Sequence, residues 1–383
     1  MVIERAEAFR YRLRLTERVV MAGIEHTHRT GYLLQLTSED GLEAWGDAAP
    51  LPGFSHETVE ETEASLHQCA KRLSGYRLPR SYNDLEGSGL LHLPDTPSVS
   101  FALETAYYGL LAQTMGVGMA RIINPSAPTQ IRLNGLLMGT PQKILADAAR
   151  CAEAGYSAVK MKAGRGPIEA DAELVHAVRD VIGDRMALRL DANRAWPLDD
   201  AVQFGRRVSH LGIEYIEEPL RDPHALPDFH RRTGVPYALD ETLQAWRAPA
   251  PAKRGGLPRA WSLEEHTRSL VPVFREAAAC IWKPTLMHVP NLRAAIAWGM
   301  FFPMNTIVIS AAFESGVGIL ALGHYAAAFS GNRVPVGLDT YRWLAEDVTT
   351  ERLPLAGPSL DLESPAMAPG MLDLSKLEPL TRA

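Results

Sequence analysis

From about residue 129 onward the chain repeats one unit, a short apolar run followed by an amphipathic helical stretch. The runs are Ile131–Leu133, Ala158–Lys162, Ala187–Asp191, Ile213–Glu217, Tyr237–Asp240, Cys280–Lys283, Thr306–Ser310 and Val336–Asp339. Each is too short for a helix, and long connections between them suit parallel strands joined by crossover helices. Glycines at 155, 183, 212 and 234 mark where the intervening helices should stop. Thr140-Pro141 reads as a helix cap and first turn. Eight such units close into a barrel, so residues 129–352 are expected to form a modified (β/α)8 TIM-type barrel of the α/β class.

The N-terminal third follows a different grammar. Tyr32–Leu36 and Leu42–Trp45 alternate like strands and flank Ser38-Glu39-Asp40-Gly41, a turn signal, so a hairpin is predicted. Helices are expected from Ser55, with Glu57, Glu60 and Glu61 near its positive end, and from Ser98 to about Gln113. Residues 1–128 therefore read as an α+β capping domain, to which the Pro-rich tail 353–383 is expected to return. Arg247–Trp261, rich in Pro, Ala and Gly without an apolar period, reads as an inserted surface loop. A chain of 383 residues accommodates one large barrel and a second lobe.

Five of the predicted strands end in a charged residue: Lys162, Asp191, Glu217, Asp240 and Lys283. The steps from 162 to 191, 191 to 217 and 217 to 240 each match one strand-helix unit. The longer step from 240 to 283 matches once the inserted loop is allowed for. Side chains at the carboxyl ends of parallel strands converge on one mouth of a barrel. Three carboxylates meeting there repel unless a cation neutralises them, and an all-oxygen set selects a hard ion, Mg²⁺, with Mn²⁺ as a substitute. Such a metal polarises a substrate carboxylate and stabilises the enediolate left when an α-proton departs. Lys160 and Lys162, two apart and so on one face of a strand, put a second cation beside the base. That arrangement is expected to lower a lysine pKa towards roughly 7 to 8. Any one of these charges alone is equally a helix cap or a solubilising group; the joint spacing carries the chemistry.

Lys160-Met161-Lys162, Asp191-Ala192-Asn193, Glu217-Glu218-Pro219, Asp240-Glu241-Thr242 and Lys283-Pro284 resemble, in order, the motifs of the muconate-lactonising branch of the enolase superfamily. Within it, Gly46 to Ser55, Pro97-Ser98-Val99 and Gly337-Leu338-Asp339-Thr340 look most like the o-succinylbenzoate synthase family of menaquinone or phylloquinone biosynthesis. The resemblance implies that Lys162 removes the α-proton and later protonates the departing hydroxide in a syn dehydration. It implies that Lys160 tunes Lys162, that Asp191, Glu217 and Asp240 bind Mg²⁺, and that Lys283 stabilises the enediolate from the opposite side. Asn193, Ser310, Glu314, Ser315, Phe54 and Met21 are the candidates for contact with the carboxylate substrate. Asp-Glu-Thr in place of Asp-Glu-Ser, and Ser310-Ala311-Ala312-Phe313 with fewer hydroxyls, depart from the pattern without touching metal or base. The same residue set serves N-acylamino acid racemases and dipeptide epimerases, where both lysines exchange the proton. Muconate cycloisomerase and a non-catalytic barrel are the remaining alternatives.

Composition narrows the partners. A net charge of −6 with no basic stripe argues against nucleic acid. The most apolar stretch, 307–329, carries Glu314 and His324 and reads as a buried strand and helix rather than a membrane span. Cys69, Cys151 and Cys280 form no paired motif, and Glu4 and Glu7 interrupt any apolar leader, so a cytoplasmic protein is expected. A homo-oligomer is compatible with a barrel of this kind, although no surface patch in the sequence marks one.

Overall fold

The computed structural model describes residues 1–21, 23–79, 96–244, 269–287, 302, 304–355, 357–363 and 371–380. The inserted loop 247–261 lies outside the described residues. Two long antiparallel strands, β1 (Ile3–Met21) and β2 (Ile24–Ser38), and the shorter β3 (Glu43–Ala48) begin the cap. The β2–β3 hairpin turns at Gly41, whose φ of 77° favours glycine and whose N–H donates to the Ser38 carbonyl at 2.9 Å. Glu378–Pro379 adds a fourth strand on the free side of β1.

Two helices pack against this sheet. The first is Val59–Leu73, opened by Thr58 in a capping box with Glu61. Its start corrects the expectation at Ser55: the Ser55 hydroxyl instead accepts the Leu51 N–H at 2.8 Å inside the preceding loop. The second, Pro97–Met115, is buried along most of its length and lies hard against β3. A Cβ on Gly46 would sit 1.9 Å from the Ala102 carbonyl oxygen, so only glycine permits this contact.

The run at Ile131–Leu133 does not form the first barrel strand. β4 (Gln130–Arg132) pairs antiparallel with Ser359–Asp361, and β5 (Gly135–Leu137) enters the barrel instead. Then follow β6 (Ala158–Lys162), β7 (Ala187–Asp191), β8 (Ile213–Glu217), β9 (Tyr237–Leu239), β10 (Ala279–Trp282) and β11 (Thr306–Ile309). These seven strands, β5 to β11, form one parallel sheet in sequence order. The eighth position differs from the expected strand at Val336–Asp339. Only Val336 and Gly337 bridge the gap, Val336 to Leu133 and Gly337 to Ser310, before the chain tightens into a 3₁₀ turn at Asp339–Trp343. Among the described residues no helix is long and apolar enough to cross a membrane.

Period-two alternation divides the strand residues into two cores. Val159, Met161, Leu188, Leu190, Ile216 and Leu239 belong to the large outer core. Tyr215, Ala238, Ala279, Ile281 and Val308 form a small separate cluster inside the barrel. Continuing that inner set by two residues leads to Glu217, Asp240, Lys283 and Ser310. The sequence therefore aims its strand-end polar groups at the barrel axis.

Candidate active site

At the carboxyl ends of β6 to β10, ammonium groups and carboxylates interleave. Lys160 Nζ lies 2.8 Å from Asp191 Oδ2 and 2.6 Å from Glu217 Oε2. Lys162 Nζ lies 2.6 Å from the same Asp191 oxygen and donates to Asn193 Oδ1 at 2.5 Å, while Lys283 pairs with Asp240. Asp191, Glu217 and Asp240 are each at most 3% exposed. Lys162, Lys283, Lys160, Asp191, Asn193, Ser310 and Phe54 all line one cavity of about 140 Å³ under the cap, together with Leu51, Leu286, Phe313 and Thr340.

The electrostatics follow from this crowding. Burial alone would raise the pKa of Asp191, but Lys160, Lys162 and Lys283 outweigh it and hold the carboxyl well below the usual range. Glu217 goes the other way, raised by burial and by the charge of Asp191. Burial would lower Lys160, yet Asp191, Glu217 and Asp240 together drive it well above the ordinary lysine value; Lys283 is raised likewise, chiefly by Asp240. Three carboxylates overwhelm burial and like-charge repulsion unless their own charge is taken up elsewhere.

The donor chemistry suits a hard cation. Asp191, Glu217 and Asp240 end three adjacent strands and offer only oxygen, and Glu217 Oε1 is buried without a hydrogen-bond partner among the described residues. Among the described residues, however, no three such groups form a cation-holding cluster; Lys160 lies between Asp191 and Glu217, and Lys283 pairs with Asp240.

Other side chains brace this array. Glu218, at φ 41°, accepts from the backbone N–H of Asp240 and Thr242 at 2.9 and 2.7 Å and from Arg194 at 3.1 Å, tying the β8 and β9 ends together. Asn193, at φ 42°, donates its amide to Glu241 Oε1 at 3.0 Å. Burial beside Asp240 pushes the Glu241 carboxyl up to about 7. Arg189, buried inside the barrel one strand repeat below Asp191, bonds Glu214 at 2.6 Å and the Pro335 carbonyl at 2.7 Å. Its place as a charged residue inside the apolar run Ala187–Asp191 was the signal for it.

Glu314 and Ser315 stand apart from the other substrate-contact candidates. Both are fully buried and neither lines the cavity: Glu314 accepts from Thr285 Oγ1 at 2.6 Å, and the Ser315 hydroxyl donates to Asp47 at 2.8 Å. A short acidic and hydroxyl segment after a strand is equally suited to a helix start, and here it opens the helix Gly316–Phe329. Met21 ends β1, and its side chain lies outside the described residues. A larger cavity of about 800 Å³ lies remote from these charges, between the cap sheet, the helix Gly316–Phe329 and the tail; its lining is mostly apolar.

An α+β cap over a parallel barrel, with lysines and carboxylates at successive strand ends, defines an enolase-type enzyme architecture. Two family descriptions match parts of the cap and of the barrel: "MenC, N-terminal domain" over residues 3–110 and "Enolase C-terminal domain-like" over residues 143–255. The chain belongs to the o-succinylbenzoate synthase family. It is 31% identical to the o-succinylbenzoate synthase of Vibrio cholerae over 343 residues, covering 88% of this chain and 89% of that one. Protein PHYLLO, chloroplastic, of Arabidopsis thaliana is 30% identical over 377 residues, and the match spans 90% of this chain but only 21% of that protein. Among solved structures, the dipeptide epimerase of Enterococcus faecalis in complex with Mg and L-Leu-L-Tyr superposes with a TM-score of 0.78. It is 21% identical, with 94% of this chain and 97% of that one covered, a likeness of fold.

Proposed function

We propose that the chain catalyses the Mg²⁺-dependent syn dehydration of 2-succinyl-6-hydroxy-2,4-cyclohexadiene-1-carboxylate to 2-succinylbenzoate, in menaquinone or phylloquinone biosynthesis. Family membership makes it a carbon–oxygen lyase of the hydro-lyase type. The observation that carries the reading is the pair Lys162 and Lys283, which line one small cavity from strands separated by three others. Residues 129–352 are taken as the catalytic barrel, and 1–128 with 353–383 as its cap.

In this reading Lys162 Nζ takes the proton from the carbon beside the substrate carboxylate, then returns it to the departing hydroxide on the same face. Asn193, within 2.5 Å of that nitrogen, orients it. Lys160, wedged between Asp191 and Glu217, keeps a positive charge beside the base. Lys283 faces the developing negative charge from the far wall. Asp191, Glu217 and Asp240 would hold Mg²⁺, or Mn²⁺ in its place, and the ion supplies positive charge to the substrate carboxylate. Phe54 and Ser310 contact the substrate body, and Glu314 and Ser315 act indirectly by fixing the loop that follows β11. A cytoplasmic setting accords with three buried cysteines, Cys69, Cys151 and Cys280, that form no paired motif.

Lys283 opposite Lys162 also favours a second reading, racemisation of N-acylamino acids, because proton exchange needs a base on each face. The test is turnover by chelator-treated protein with and without added Mg²⁺, on the cyclohexadiene and, separately, on N-succinylamino acids followed by optical rotation. Mg²⁺-restored conversion of the cyclohexadiene is expected. Racemisation alone would move the function to the second reading, and turnover undiminished in chelator would overturn the metal assignment.

A further inference from the structure

Arg29 lies on β2, in the cap, and is 2% exposed, yet it makes no ion pair among the described residues. Its guanidinium is served by backbone carbonyls: Ala49 at 2.6 Å, Thr30 at 3.0 Å, Phe313 at 3.1 Å, and Pro50. Glu314, also buried, feels the Arg29 charge without forming an ion pair with it, so the direct partners of the guanidinium are carbonyl dipoles, and these must be aimed at it for burial to be tolerated. Those carbonyls are not arbitrary ones. Ala49 and Pro50 open the cap loop that carries Leu51 and Phe54 to the cavity, while Phe313 closes the barrel loop whose Ala311 and Ala312 form the facing wall.

The barrel side of this contact is under strain. Phe313 has a φ of 64°, a region that bulky side chains rarely enter, and such a conformation persists only where its surroundings hold it. The Arg29 bond to its carbonyl is one such restraint, and the Thr340 hydroxyl, 3.4 Å from the Phe313 nitrogen, is another. One planar donor group therefore joins two loops from different lobes, and both loops present apolar side chains to the same cavity.

We propose that Arg29 is a positioning residue, a clamp that locks the cap loop 49–54 to the barrel loop 311–313 and so sets the apolar wall against which the substrate body packs. The clamp touches neither base nor carboxylates, so its loss weakens substrate binding and spares the chemical step. This rests on the reading of the cavity as the substrate site. Arg29→Met is expected to raise KM about 10-fold or more with kcat within about threefold, and Arg29→Lys, which keeps the charge but cannot span both loops, to raise KM in the same direction by a smaller factor. Hydrogen exchange of the folded variants provides a readout free of substrate: protection of 49–54 and 311–313 should fall together while that of β6 to β8 stays unchanged. If Arg29→Met does not fold, the exchange pattern and KM of Arg29→Lys carry the same test. A drop in kcat at constant KM, or loss of protection in one loop only, would overturn the clamp. Wild-type protein inactive on the cyclohexadiene would defeat the functional reading, and the exchange experiment would still decide the clamp.

Discussion

The barrel mouth and the cap–barrel seam both bury charge, but they neutralise it differently. At the mouth, Asp191, Glu217 and Asp240 face ammonium groups at the ends of flexible lysine side chains. At the seam, Asp47 accepts from the Tyr11 hydroxyl at 2.8 Å and from the Ser315 N–H and hydroxyl at 2.9 and 2.8 Å. Asp347 likewise accepts from the Gly316 and Val348 N–H groups and from the Tyr341 and Thr349 hydroxyls. Backbone N–H groups and hydroxyls packed in the core have little room to swing away, whereas lysines can exchange partners or protons. Carboxyls at the mouth are met by mobile charge, and those at the seam by fixed neutral donors, which at Asp47 leave burial dominant and the carboxyl pushed up to about 7.

The largest test of that contrast is Lys162→Ala, for which kcat should fall by about 10² to 10⁴ while the melting temperature barely moves. A large loss of stability would show that the mouth also holds the fold. Asp47→Ala should do the reverse: it strands three buried donors and should cost about 3 kcal/mol by urea titration, with kcat per folded molecule nearly kept.

His324, at the cap–barrel boundary, sharpens the contrast through pH. Burial lowers its pKa to about 4, and its Nδ1 sits 3.3 Å from the Ala120 N–H. The unfolded chain takes up this proton near the ordinary value of about 6.5 and the folded chain only near 4, so this residue's share of stability is full above 6.5 and drains as pH falls towards 4. That share is about 3 kcal/mol. Denaturant titrations at pH 7 and 4 should show His324→Gln losing less stability over that interval than wild type; equal losses would contradict the shift. The smallest effect is expected at Thr58→Ala, about 1 kcal/mol from the lost helix cap, measured by thermal melting with activity unchanged. It calibrates what an ordinary cap contact contributes, away from either region.

The mouth was far more legible in the sequence than the seam. Strands alternate by two and end where their helix connections begin, so Lys160, Lys162, Asp191 and Glu217 could be placed on one side of one sheet from spacing alone. The seam joins residues that no local pattern links: Arg29 to Phe313, Asp47 to Ser315. For that reason Glu314 and Ser315 read as substrate contacts, although their partners lie in Thr285 and the cap. The eighth strand is shorter than its apolar run suggests, because Val336 and Gly337 make only single bridges, one on each side. Thr58 with Glu61 three residues later carried the true helix start, and Ser55 offered a competing hydroxyl without that partner.

The strand at 378–379 has a consequence for how the chain is made. It pairs with Phe9 and Arg10, about 370 residues earlier, and the Leu380 N–H donates to the Ala8 carbonyl. At roughly 5 to 20 residues per second, a ribosome needs about 20 to 70 s to bridge that separation. Throughout that interval the outer edge of β1 near Phe9 lacks its partner, and unpaired strand edges invite association with other chains. The cap sheet is thus completed only after the whole barrel between its two parts has been made, and until then the edge of β1 near Phe9 is a place where another chain can pair.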